Sequence, residues 1–212
     1  MNLNEINSRS DLAHIIHIPE SKLTYLLYIT GIDNCYTEFE IPKKNGGVRK
    51  IESPNKDLRI VLKRLSDALL LVKNKADKES GVRENIAQAF TKKRGIITNA
   101  RIHRNKRFVV NLDLKDYFTS FHFGRVLGYF EKNKNFVLPH NMAVILAQLT
   151  CYQGHLPQGA PSSPIITNMI GRMLDLHLLE ITRKYRLDYT RYADDLTFST
   201  NVKSFLEKKM HF

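Results

Sequence analysis

Two rhythms of apolar and polar residues run along the chain. The first has a period of two, the mark of strands. Residues 36–53 alternate through Tyr36-Thr37-Glu38-Phe39-Glu40-Ile41, turn at Asn45-Gly46-Gly47 and return through Val48-Arg49-Lys50-Ile51, a β-hairpin. Residues 107–114 place Phe108, Val110, Leu112 and Leu114 on one face and Val109, Asn111 and Asp113 on the other. The apolar face of this strand is expected to pack against helices. Residues 189–199 read as a second hairpin with a short polar corner at Asp194-Asp195. On its return arm Leu196 and Phe198 share one face, Thr197 and Ser199 the other.

The second rhythm is helical. Residues 8–31 read as two short helices divided by Pro19, with Ser10 and Asp11 as caps of the first and Leu23, Leu26, Leu27 and Ile29 as the apolar side of the second. Residues 57–75 form an amphipathic helix with Leu58, Val61, Leu62, Leu65, Leu69 and Leu70 on one side. Shorter helices are expected from Gly95 to His103, from Phe123 to Glu131 and from His140 to Cys151. The stretch Tyr152 to Pro164 holds three prolines and two glycines and forbids regular structure at first. Pro164 suits the first turn of a helix, capped by Ser162 or Ser163 and running to about Tyr185. Its expected core contacts are Ile165, Met169, Met173, Leu176 and Leu179.

Charge narrows the function. Thirty-three Lys and Arg against 21 Asp and Glu give a net charge of +12, which favours a polyanionic partner or an anionic membrane surface. No apolar run approaches a membrane span, and no signal peptide opens the sequence, so a cytoplasmic setting is expected. The two cysteines, Cys35 and Cys151, lack metal-ligand spacing and read as free buried thiols. Basic residues gather at the first hairpin (Lys43, Lys44, Arg49, Lys50) and after the 95–103 helix (Arg101, His103, Arg104, Lys106, Arg107). The hairpin is either a solubilised edge or a basic finger that grips a triphosphate or a nucleic-acid backbone. The second patch is either a solvated turn or a set of phosphate contacts.

The candidate chemistry is carboxylate chemistry. Adjacent Asp194 and Asp195 repel unless a cation sits beside them. On its own an Asp-Asp corner is an ordinary turn. Asp113, near the end of a second apolar strand, supplies a third carboxylate, and the backbone carbonyl of Leu114 lies within reach of the same ion.

The motifs Asn111-Leu-Asp-Leu-Lys-Asp-Tyr-Phe118, Leu156-Pro-Gln-Gly-Ala-Pro-Ser-Ser-Pro164 and Tyr192-Ala-Asp-Asp195 resemble the A, B and C motifs of reverse transcriptases. Ile41-Pro-Lys-Lys-Asn-Gly-Gly-Val-Arg49 resembles the family's basic fingers segment, and Asn99-Ala-Arg-Ile-His103 the NAxxH motif of retron reverse transcriptases. The resemblance implies an α+β right-hand fold, with an antiparallel palm sheet backed by helices. It divides the chain into an N-terminal helical segment (1–34), fingers with part of the palm connection (35–106) and an incomplete palm (107–212) with fingers-like helices at about 123–155.

The resemblance also implies a reaction: copying a structured non-coding RNA into single-stranded DNA, begun in retrons from a guanosine 2′-OH. Asp113, Asp194 and Asp195 would hold two Mg²⁺ ions and carry catalysis, with Leu114 as a further metal contact. Lys43 or Lys44 and Arg49 would hold the triphosphate, Gln158 and Gly159 would shape the nucleotide pocket, and Phe118 would exclude ribonucleotides. Asn99, Arg101, His103 and Arg104 are candidate RNA contacts. The implied partners are an RNA template, its RNA–DNA hybrid, deoxynucleoside triphosphates and a retron effector protein, with no membrane. The sequence ends at Phe212, shortly after the second hairpin, so the VTG motif and helical thumb of the family are expected to be missing and polymerisation impaired. The alternatives are a group II intron or phage-defence reverse transcriptase, which NAxxH disfavours for the intron case, and a non-catalytic RNA-binding remnant.

Overall fold

The computed structural model describes residues 2–43, 46–80 and 86–202. In sequence order the elements are α1 (Arg9–Ile15), α2 (Glu20–Thr24, continued by a π-helical turn over Tyr25–Thr30), β1 (Tyr36–Pro42), β2 (Val48–Pro54), α3 (Lys56–Ser80), α4 (Ile96–Ile102), β3 (Phe108–Asp113), α5 (Phe123–Lys132), α6 (His140–Thr150), α7 (Ser163–Tyr185), β4 (Asp188–Tyr192) and β5 (Asp195–Thr200). The architecture is mixed α+β, with small antiparallel sheets and helices beside them. The described residues fall into two compact units, one drawn from 1–82 and 118–169, the other from 83–117 and 170–212.

In the first unit β1 and β2 form the expected hairpin, paired from Tyr36 opposite Pro54 to Pro42 opposite Val48. Its core is the apolar side of α3, where Leu58, Val61, Leu62, Leu65 and Leu69 are fully buried, each burial contributing about 1.5–3 kcal/mol. Leu70, expected on that side, stands 38% exposed, because it lies a turn-step away from the Leu62–Leu65–Leu69 row. The cap of α1 also differs from expectation. Ser8, not Ser10, accepts from the Asp11 N–H at 3.1 Å, and the Asp11 carboxylate accepts from the Ser8 N–H at 2.9 Å, a reciprocal capping box. α5 and α6 pack on each other and bury Val126, Phe130, Met142, Leu146 and Leu149. Cys35 and Cys151 are buried free thiols, and burial pushes the Cys151 thiol up to about 12.

The second unit is built on a three-stranded antiparallel sheet of order β3-β5-β4. Its register sets Asp113 opposite Asp195, Asn111 opposite Thr197 and Val109 opposite Ser199. Side chains alternate across a strand, so Asp113, Asn111, Val109, Asp195, Thr197, Ser199 and Thr190 share one face. Tyr189, Arg191, Leu196 and Phe198 share the other, where the Tyr189 and Phe198 rings stack at 4.9 Å. α4 bonds to the first face and α7 to the second.

Two expectations fail here. Among the described residues β3 is an edge strand, and Val110 and Leu112 of its expected packed face are 42% and 53% exposed. α7 runs as expected to Tyr185, but Met173 and Leu176 are 57% and 43% exposed. The helix instead turns Gly171, Asp175 and Thr182 inward, because Arg191 on β4 requires a buried partner. Neither Ser162 nor Ser163 caps α7 by its side chain: both hydroxyls are buried without a hydrogen-bond partner among the described residues, and the first helical bond runs from the Ile166 N–H to the Ser162 carbonyl at 3.2 Å.

Candidate active site

The β4–β5 hairpin closes through a two-residue corner, Ala193-Asp194, with Ala193 in the left-handed region at φ 56°. That conformation is uncommon for a residue with a Cβ and needs support from its surroundings. The support comes from below. The Arg191 guanidinium is 1% exposed and bonds twice to Asp175, Nε to Oδ1 and Nη2 to Oδ2, each at 2.8 Å. Its Nη1 donates to the Tyr117 hydroxyl at 2.8 Å and to the Ala193 carbonyl at 3.3 Å. Tyr189 donates its hydroxyl to Asp175 at 2.8 Å. Burial opposes the guanidinium's charge, but its polar neighbours, Asp175 first and Tyr117 and Tyr189 with it, together outweigh burial, so its pKa rises. Gly171 leaves the room: a Cβ there would stand 3.2 Å from Nη2. An Arg in the middle of a buried strand demands such a partner. That demand is the signal by which Asp175 could be sought in the sequence.

On the opposite face stand the carboxylates. Asp113 ends β3 directly across from Asp195, which begins β5. The Leu114 N–H donates to the Asp194 carbonyl at 3.0 Å, tying the end of β3 to the corner. Asp195 is exposed at the start of β5, yet its pKa is raised, first by the desolvation its neighbours impose and then by the nearby Asp194 and Asp113 charges. So the backbone brings Asp113, Leu114, Asp194 and Asp195 to one end of one sheet. Among the described residues, no three His, Cys, Asp or Glu side chains are gathered into a metal-holding cluster. The donor chemistry nevertheless fits a hard divalent cation: oxygen ligands only, from neighbours whose mutual repulsion a cation relieves.

The four residues expected to contact RNA sit on α4 and the turn after it. Arg101 and Arg104 are exposed. His103 is buried, its Nδ1 2.7 Å from the Ser199 hydroxyl and its Nε2 2.7 Å from that of Thr190. Thr190 in turn donates to Asn99 Oδ1. Burial holds the His103 pKa below its usual value; nearby Asp188 works against that and Lys106 with it.

The residues expected to contact the nucleotide lie in the first unit. Lys43 closes the β1–β2 turn, its N–H donating to the Gly47 carbonyl at 3.0 Å, and Arg49 is exposed opposite Ile41. Lys44 lies outside the described residues. Phe118 is half-buried, and its carbonyl accepts from the Phe121 N–H at 3.1 Å. Gln158 is locked to β2 through Glu52. The Glu52 N–H donates to the Gln158 carbonyl at 3.0 Å, and the Gln158 N–H to the Glu52 carboxylate at 3.1 Å. Gly159, at φ 147°, packs on that strand so closely that a Cβ would stand 2.5 Å from the Glu52 carbonyl oxygen. His155 completes the joint at 3.2 Å from the Glu52 carboxylate. Sequence reasoning misses Glu52 and His155, although a carboxylate in a strand facing a rigid Pro/Gly loop is the available sign.

The sequence matches the reverse transcriptase (RNA-dependent DNA polymerase) family over residues 41–211. It is 33% identical to the retron Mx162 reverse transcriptase of Myxococcus xanthus, over 93% of this chain and 42% of that protein. It is 35% identical to the retron Mx65 reverse transcriptase of the same organism, over 82% of this chain and 42% of that protein. It is 32% identical to the retron Ec86 reverse transcriptase of Escherichia coli, over 98% of this chain and 61% of that protein. The protein thus spans about half the length of these relatives. Among the described residues no helix is long and apolar enough to cross a membrane. With the A-motif aspartate set opposite the C-motif pair on adjacent strands and this match across most of its length, the chain belongs to the reverse transcriptase family, as a retron-type bacterial member.

Proposed function

We propose that this protein holds the nucleotidyl-transfer centre of an RNA-directed DNA polymerase of retron type, which copies a structured non-coding RNA into single-stranded DNA. The observation that carries this reading is the pairing of Asp113 with Asp195, with Asp194 tied to Leu114 beside them. The three carboxylates would hold two Mg²⁺ ions, with the Leu114 carbonyl as a further contact. When bound, such ions supply a lowered pKa at the primer hydroxyl and neutralisation of the triphosphate and leaving pyrophosphate. The protein's own work is placement. β3 and β5 fix the separation of the carboxylates through their shared ladder. The Arg191–Asp175 pair holds the corner that presents Asp194.

In this reading residues 35–106 act as fingers with part of the palm connection and 107–212 as an incomplete palm, with fingers-like helices at about 123–155. Lys43, Lys44 and Arg49 hold the triphosphate, Gln158 and Gly159 line the nucleotide pocket, and Phe118 crowds the sugar 2′ position. Arg101 and Arg104 contact RNA phosphates, and a retron effector is a further partner. Because the relatives are about twice as long, the test is run on the protein itself and on the protein joined to the downstream part of a retron relative. Primer extension on an RNA template with Mg²⁺ is measured beside Asp194→Asn. Synthesis is expected in the joined protein and lost in the variant. Equal synthesis by the variant, or none by a joined protein that still binds primer and template, would sink the reading. The second outcome would favour a non-catalytic RNA-binding protein.

A further inference from the structure

The NAxxH residues have no part in the chemistry above, yet two of them are held inside the second unit by an unbroken series of hydrogen bonds. The direction of that series follows from proton counting. Thr190 has one hydroxyl proton and gives it to Asn99 Oδ1. His103 Nε2 must therefore carry the proton that Thr190 Oγ1 accepts. A neutral ring protonated at Nε2 leaves Nδ1 as an acceptor, and the Ser199 hydroxyl donates to it. The relay reads Ser199 to His103 to Thr190 to Asn99, with each donor and each acceptor used once. Thr190 and Ser199 are 1% and 2% exposed and His103 8%, so an unpaired member would be left without water.

The relay also joins particular elements. Asn99 and His103 stand four residues apart, on one side of α4. Thr190 belongs to β4 and Ser199 to β5, the two arms of the hairpin that presents Asp194 and Asp195. Both hydroxyls lie on the sheet face of Asp113 and Asp195. Ser199 is four residues along β5 from Asp195, about 13 Å at strand rise. α4 thus grips both arms of the hairpin from the carboxylate side, while Arg191 and Asp175 brace it from behind.

We propose that Asn99 and His103 are positioning residues: they latch the β4–β5 hairpin to α4 and so fix where Asp194 and Asp195 stand. This rests on the reading of those aspartates as the metal-binding pair. It assigns NAxxH to the palm's geometry and leaves its exposed Arg101 for solvent or RNA.

The test uses the protein as it stands. His103→Leu, which fills space without hydrogen bonding, breaks the latch. His103→Gln offers one acceptor and one donor and is the conservative rescue. The first readout is deuterium uptake by the amides of 188–200. His103→Leu is expected to raise uptake in both arms of the hairpin, and His103→Gln to restore much of the protection. Uptake unchanged in His103→Leu would overturn the latch, whatever the metal does. The second readout is the Mg²⁺ concentration that gives half of the metal-induced rise in Tm. It is expected to climb about tenfold in His103→Leu and to recover in His103→Gln. A merely structural role would lower the basal Tm and leave that midpoint alone, and this result would overturn the positioning claim. No Mg²⁺ effect in the unaltered protein, with hairpin uptake still raised in His103→Leu, would count against the catalytic reading and leave the latch standing.

Discussion

At the scale of single residues, the carboxylate end is built against its own stability. Asp195 stands beside Asp194 and opposite Asp113, and its pKa is raised first by desolvation and then by the repulsion of those two carboxylates. Removing one of these charges relieves it. Asp195→Asn is expected to raise Tm by about 1–3 °C in the absence of divalent ions while abolishing Mg²⁺-induced stabilisation. A fall in Tm without metal would show that the carboxylate is stabilising where it stands. His103 has the opposite electrostatic logic. Its folded pKa lies below the usual 6.5, so below that pH the unfolded protein takes up a proton that the folded ring refuses. The stability it contributes is present above about pH 6.5 and is lost as pH falls through the folded pKa. Asp188 and Lys106, the charged groups facing it, pull in opposite directions and do not reverse this sign. Melting curves at pH 7.5 and 5.5 check it: the loss on acidification should be smaller in His103→Gln than in the unaltered protein.

At the scale of elements, the sequence shows local rhythm well and distant partners poorly. The two hairpins are readable because alternation and turn residues are local: Asn45-Gly46-Gly47 marks the first, and Asp194 the second, whose corner falls one residue earlier than expected, at Ala193-Asp194, with Asp195 already on β5. The inward face of α7 is not readable. Apolar spacing favours Met173 and Leu176, but the helix presents Asp175 because an arginine on β4, sixteen positions later, must be neutralised. β3 misleads for a related reason: its alternation cannot say whether a helix covers the apolar face, and among the described residues Val110 and Leu112 on that face are exposed. The A and C aspartates are found through motif order, whereas the relay from Ser199 to Asn99 joins residues up to about a hundred positions apart and leaves no local sign. Two predictions belong here. Arg191→Met strands the Asp175 carboxylate in a buried site and should cost about 3–5 kcal/mol in denaturant unfolding, with Asp175→Leu in the same protein recovering much of it. A cost under about 1 kcal/mol would show that the pair is not buried in solution. Gly159→Ala drives a Cβ onto the Glu52 carbonyl and should loosen the joint between the loop and β2, costing about 1–3 kcal/mol. An unchanged unfolding midpoint would refute that close approach.

At the scale of the whole molecule, the net charge of +12 favours a polyanion. Arg101 and Arg104 are exposed beside a helix whose other side holds the hairpin, and Lys43 and Arg49 are exposed on the β1–β2 hairpin. Cations displayed this way bind a polyanion by displacing its counterions, so affinity depends on salt more than on sequence. If the protein neutralises roughly four phosphates of a single strand, the slope of log K against log salt is about −3. Between 50 and 200 mM salt, RNA affinity should then fall by about fiftyfold to sixtyfold. Each removed phosphate contact lowers the slope by somewhat less than one. Arg101→Ala with Arg104→Ala should therefore flatten it by about 1.4. Asp194→Asn should leave it unchanged, because in the proposed function that residue serves the reaction and not the grip. Fluorescence anisotropy of a labelled RNA across a salt series measures all three proteins. A slope that the double arginine variant leaves untouched would place the RNA on another basic surface and remove those two residues from the contact set.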